Sequence, residues 1–303
     1  MGWVFSHAVA IGSALLAALA AALGIVVRQA ALQRPGADES AGAVVTDVLR
    51  DGLWWAGTAA ATAGYVFQAI ALAHGSLLLV QPLLVSALLF VLPLSARRTG
   101  DRVTGSEWAW ATILTAALAV FVLVGQPREG NYRSPVPSWT LALSGAVPIV
   151  VACVVIARRT ADRVRAASLG VAVAVGLGMI AVLTKTCTHR FSVGSWHALL
   201  TVPAPYLLIV LAVAVIVLQQ WAFRAGSLQA SVPIMLVGEP VVAVLLGMVV
   251  LGEHLVVSGV GLVALPVAVA AMVAATIALG RDEGAQTERA ATLSGVYPLT
   301  HAD

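Results

Sequence analysis

Nine uninterrupted apolar runs divide the chain, each near the roughly 20 residues that a helix needs to cross a bilayer. They cover about 4–27, 53–73, 77–96, 107–125, 138–157, 168–184, 204–223, 228–251 and 255–279. Of the 303 residues only 10% are charged and 60% are hydrophobic, whereas a soluble domain carries roughly 25% charged residues. A water-soluble globule, a disordered chain and a secreted disulfide scaffold are excluded together. The cysteines, Cys153 and Cys187, have neither pairing nor metal-knuckle spacing. The fold class is therefore all-α integral membrane. No Lys or Arg precedes the first run, which also exceeds the apolar core of a signal peptide, so it reads as a retained helix.

Lys and Arg in short loops resist translocation and so report orientation. One side of the nine runs holds Arg28, Arg34, Arg50, Arg97, Arg98, Arg102, Arg158, Arg159, Arg163, Arg165, Arg224, Arg281 and Arg289. The other holds Arg128, Arg133, Lys185 and Arg190. Thirteen against four puts the amino terminus outside and the carboxyl terminus in the cytoplasm, in agreement with an odd number of spans. The Arg-, Ala- and Val-rich composition fits a GC-rich bacterial chain, hence a multi-pass protein of the plasma (inner) membrane. Segment 28–52 is too polar to cross and reads as a cytoplasmic loop, and the tail 280–303 is predicted to be disordered. The net charge of +3 is scattered between spans without a basic run, so nucleic acid is not an expected partner. The expected partners are the lipid bilayer, a small-molecule or ion substrate and, at most, a second copy in a homodimer.

The halves repeat. Gln68-Ala69-Ile70-Ala71 through Gly75-Ser76-Leu77 lies without gaps over Gln219-Gln220-Trp221-Ala222 through Gly226-Ser227-Leu228, and Pro82 then falls on Pro233. The next helix closes with Gly100-Asp101-Arg102 in one copy and Gly252-Glu253-His254 in the other. Five spans separate the copies, and an odd displacement inverts one against the other, as in secondary transporters. The organisation predicted is four plus five: residues 1–125 as the first repeat, 126–137 as an external linker and 138–279 as the second repeat, whose first span, the fifth of the chain, is unpaired.

Leu236-Val237-Gly238-Glu239-Pro240 to Gly247, followed by Gly252-Glu253-His254, resembles the closing helix pair of EamA-like members of the drug/metabolite transporter superfamily. Trp54-Trp55-Ala56-Gly57, Gly64-Tyr65 to Ala71 and Leu79-Val80-Gln81-Pro82-Leu83 are similar to the second and third helices of the nine-helix, NIPA-type magnesium transporters of that superfamily. The resemblance runs over most of 4–279 and implies a bundle of two inverted halves working by alternating access. That branch carries a glutamate where this chain has Tyr65. Mg²⁺ favours carboxylate oxygens, and one carboxylate, Glu239, lies clearly within the bilayer.

Glu239 sits near the middle of the eighth run. An ionised carboxylate there costs about 2.5–3.5 kcal/mol on insertion scales, so it must be protonated, paired or facing water. It is the candidate proton-coupling or cation-recognising group, with a protonated structural Glu beside Pro240 as the alternative. Gln68 and Gln219, with Gln81 and Gln220 nearby, are candidate substrate contacts or interhelical glue. Tyr65 stands three residues before Gln68 and is expected to line the same cavity. Lys185, the only lysine, is expected to snorkel at the outer end of the sixth span, with a gating or anion-binding role as the alternative. Glu253 is expected to be a solvated loop residue, and Pro82, Pro233 and Pro240 are predicted helix breaks. His7, His74, His189, His197 and His254 come from separate segments without ligand spacing, so no metal site is predicted. Without a Walker loop, nucleophile elbow or zinc-protease motif, neither an enzyme nor a cofactor is expected. The function expected is a secondary transporter of a small metabolite or amphipathic solute, proton-coupled through Glu239. The rivals are a divalent-cation transporter and a non-transporting membrane scaffold.

Overall fold

A computed structural model describes residues 2–32, 52–99, 103–130, 136–194, 197, 200–224, 228–257, 259 and 261–293. The expected second Gly-Ser junction at 226–227, most of loop 28–52 and Arg133 of the linker lie outside the described residues. In chain order the elements are α1 (Gly2–Leu32), α2 (Gly52–His74), α3 (Leu77–Leu84), α4 (Ala87–Thr99), α5 (Gly105–Gly125), β1 (Pro127–Arg128), α6 (Val136–Arg159), α7 (Asp162–Val193), α8 (Ala204–Arg224), α9 (Leu228–Leu251), β2 (His254–Leu255) and α10 (Gly261–Leu293). Among the described residues nine helices are long and apolar enough to cross a membrane, α3 and α4 together forming the third. The protein is an all-α membrane protein, and its spans fall on the nine apolar runs.

In hydrocarbon the backbone must satisfy itself, which makes a helix of each run. With no hydrophobic drive between helices, close packing depends on small residues. A Cβ on Gly24 of α1 would stand 2.9 Å from the Ala61 nitrogen of α2, and one on Gly64 would stand 3.3 Å from Ala17 O and Ala21 N of α1. A Cβ on Gly178 of α7 would come 2.6 Å from Val242 of α9, and one on Gly238 of α9 2.6 Å from Ala174 of α7. Helices α1 with α2, and α7 with α9, share the most extensive contacts. The central core joins Ala10 and Ala14 of α1, Leu72 of α2, Leu79 and Val80 of α3, Val182 of α7 and Ala243 of α9. A second cluster packs Leu88 of α4 and Leu114 and Phe121 of α5 on Met272 and Leu279 of α10. Ile209, Val210 and Val213 of α8 face outward, as does Leu141 of α6, the placement that a lipid-facing helix requires.

Local signals set the ends. Thr104 and Glu107 form a capping box on α5, with Thr104 N donating to Glu107 Oε2 at 2.7 Å and Glu107 N donating to Thr104 Oγ1 at 3.2 Å. Gly252, at φ +67°, turns the chain out of α9 through the left-handed region that glycine tolerates.

Three elements depart from the sequence reading. Helix α7 begins at Asp162 and continues to Val193, well past the expected end at 184, because Lys185 is accommodated inside the bundle. Helix α9 runs unbroken through Pro233 and Pro240. Proline is tolerated in packed membrane helices, where neighbours re-satisfy the freed backbone groups, so neither residue is a helix break. The tail expected to be disordered continues α10 to Leu293, through a stretch of Ala, Glu, Gln and Arg with good helix propensity. Residues 294–303 lie outside the described part.

Candidate functional site

The third span is the one that breaks. Pro82 offers no N–H to the carbonyl one turn back, and the following turn tightens. Val85 N donates to Pro82 O at 3.2 Å and Ser86 N to Leu83 O at 3.0 Å, after which α4 starts at Ala87. The step at Val85–Ser86 falls halfway along the span Leu77–Leu94. Two polar side chains flank it, Gln81, 1% exposed, and Ser86, 3% exposed. Neither Gln81 Nε2 nor Ser86 Oγ has a hydrogen-bond partner among the described residues. Buried polar groups are nearly always paired, and an exception calls for an explanation. Ser86 escaped the sequence reading. Its one signal was a lone hydroxyl four residues after a proline in an apolar run.

At one end of the bundle, on the Gly75 side of this break, a buried charged cluster gathers. The Gly75–Ser76 corner between α2 and α3 presents the carbonyls of one helix end and the N–H groups of the next, opposite partial charges side by side. Lys185 Nζ donates to Leu72 O and Gly75 O, both at 2.6 Å, and to Glu129 Oε1 at 2.9 Å. Glu253 accepts from Leu77 N at 2.9 Å and from Leu78 N at 3.0 Å, while Ser76 Oγ accepts from Leu79 N at 3.2 Å. Lys185 is 2% exposed and Glu253 3%. Both expectations for them are therefore corrected: Lys185 does not snorkel, because its stem is enclosed and its ammonium caps α2. Glu253 is not solvated, because its carboxylate caps α3. Burial pushes the Glu253 carboxyl above its ordinary value of 4.5, against the pull of the Leu77 and Leu78 N–H groups and the Lys185 charge.

A two-residue ladder holds the same end. Pro127 pairs with Leu255 and Arg128 with His254, antiparallel. Gly130 lies against the Leu251–Gly252 turn so closely that a Cβ would overlap Leu251 O.

The remaining predicted residues disperse. Tyr65 is 69% exposed and points away from the bundle, since α2 presents Gly64 and Ala71 inward, so it lines no cavity with Gln68. Gln68 and Gln219 are half-buried and Gln220 is exposed. Glu239 is half-buried on α9. Among the described residues no three His, Cys, Asp or Glu side chains cluster so as to hold a metal ion.

Over 277 residues, 91% of this chain and 96% of the other, the sequence is 36% identical to an uncharacterized protein of Corynebacterium glutamicum. The chain belongs to that protein's family. A match of this length takes in both halves of the chain, so the family shares more than one helix hairpin. No protein-family model matches the chain, and no solved structure does.

Proposed function

We propose that the protein is a secondary transporter of the drug/metabolite type, moving a small metabolite or amphipathic solute across the plasma membrane by alternating access. The observation that carries this reading is the third span, broken at its midpoint beside two buried, unpartnered polar groups, Gln81 Nε2 and Ser86 Oγ. Transporters place substrate near the midplane at discontinuous helices between inverted halves. A helix serving only as architecture would gain by replacing both groups with apolar ones. The Lys185 and Glu253 caps close one end over that break, the task of a gate in one of two alternating states. The sequence repeat of opposite orientation supplies the second state, and Glu239 is the group assigned to proton coupling.

Proteoliposomes screened with a panel of small metabolites and amphipathic solutes test this. Flux by the intact chain is expected, lost in Gln81→Leu and Ser86→Ala although both variants fold, with the accompanying pH change lost in Glu239→Gln. Folded wild-type protein that moves no solute in the panel would return the chain to the scaffold reading. Flux that survives both apolar substitutions would remove the broken span from the mechanism.

A further inference from the structure

At the end of the bundle opposite the Lys185 corner, the start of α7, the first turns of α9 and the end of the α10 span leave a cleft of about 660 Å³. Its walls include Val164, Ile234, Val237 and Ile277, and it carries two cations, Arg163 and Arg281. Beside the cleft Gly170 draws α7 onto α9, where a Cβ would stand 3.2 Å from Ser231 O. Gly280 approaches Pro233 similarly, with 3.4 Å from a Cβ to Pro233 Cα.

Among the described residues that line the cleft, the charged ones are both cations. Helix α7 begins after Ala161, which has no side-chain acceptor to cap it, so its first N–H groups present partial positive charge where Arg163 adds a full one. A cation in the first turn of a helix is unfavourable unless an anion offsets it. Arg163 and Arg281 both line the cleft and are exposed there.

We propose that this cleft binds an anionic phospholipid, its phosphate held between Arg163 and Arg281 and the start of its acyl chain laid on Val164, Ile234, Val237 and Ile277. Basic pockets between membrane helices on the side rich in Arg and Lys hold such headgroups, and the apolar walls ask for a chain as well as a charge. The site is separate from the broken third span and does not depend on what the protein moves.

The test uses the full chain in detergent, with thermal unfolding and native mass spectrometry, adding phosphatidylglycerol or phosphatidylcholine of matched chains. The expected result is a bound phosphatidylglycerol and a raised Tm, with phosphatidylcholine inert. Arg163→Gln with Arg281→Gln should weaken retention roughly thirtyfold, while the exposed Arg158→Gln should change nothing. Val237→Trp fills the cleft and leaves both arginines, so it should also lose the lipid, and it decides the matter if the arginine variant does not fold. Equal protection by phosphatidylcholine, full protection by glycerol phosphate alone, an equal loss in Arg158→Gln, or retention in Val237→Trp would each overturn the proposal.

Discussion

An ammonium enclosed against two carbonyls and a carboxylate is held only while all its partners stay in place, so Lys185 is the residue whose removal should cost most. Lys185→Met strips the caps from Leu72 O and Gly75 O and leaves Glu129 unpaired. Removing one partner of a buried pair costs about 3–5 kcal/mol, and the lower part of that range is expected because the Glu129 side chain is 44% exposed and regains water. Melting in detergent reads the loss, and a double-mutant cycle with Glu129→Gln separates the ion pair from the carbonyl caps. For Glu253 the expectation is a pH slope. Because burial raises its carboxyl above the ordinary 4.5, the folded chain binds that proton more readily than the unfolded chain. Stability therefore falls as pH rises from 4.5 through the raised value. In Glu253→Gln that slope should flatten, and parallel stability curves for the two proteins across the window would contradict it. Lys185 was conspicuous in sequence as a lone lysine, yet its role was not legible. Its partners lie 113, 110 and 56 residues away, and helix periodicity carries no information at such distances.

Among elements, the α1–α2 contact is set by the absence of side chains. Gly24→Val must push a Cβ into the Ala61 backbone at 2.9 Å, whereas Gly12→Val on the same helix meets nothing within 4 Å. Overpacking of this kind costs about 1–3 kcal/mol, and an uncrowded site stays within about 0.5 kcal/mol. Paired thermal melts of the two variants check the difference, and equal melting would place the α1–α2 approach elsewhere. The helices close on the small residues of these faces, Gly24 and Gly64 among them. Proline was a poor guide. Pro82, Pro233 and Pro240 are alike in sequence, yet only the helix holding Pro82 breaks nearby. Whether neighbours re-satisfy a freed carbonyl is a property of packing, which the residue alone does not announce.

Over the whole molecule, α6 separates Arg128 from Ala161 by 24 helical residues, about 36 Å. The bundle therefore puts these two positions on opposite faces, and the orientation expected from the arginine bias has Arg128 outside. In a background with Cys153→Ser and Cys187→Ser, Arg128→Cys should react with an impermeant maleimide on intact cells and Ala161→Cys only after lysis. The reverse pattern would invert the orientation. The nine spans were legible because lipid imposes one length and one polarity on every crossing. The corner at Gly75–Ser76 was not, since it is assembled from four distant segments. That has a consequence for biosynthesis. Helices α2 and α3 leave the ribosome as a hairpin, but the lysine that caps one arm is made 110 residues after Gly75 and the glutamate that caps the other 176 residues after Leu77. At about 5–20 residues per second, the newborn hairpin waits roughly 6–35 seconds with its backbone ends bare, and must be sheltered by water or by the insertion machinery until first the lysine and then the glutamate arrives.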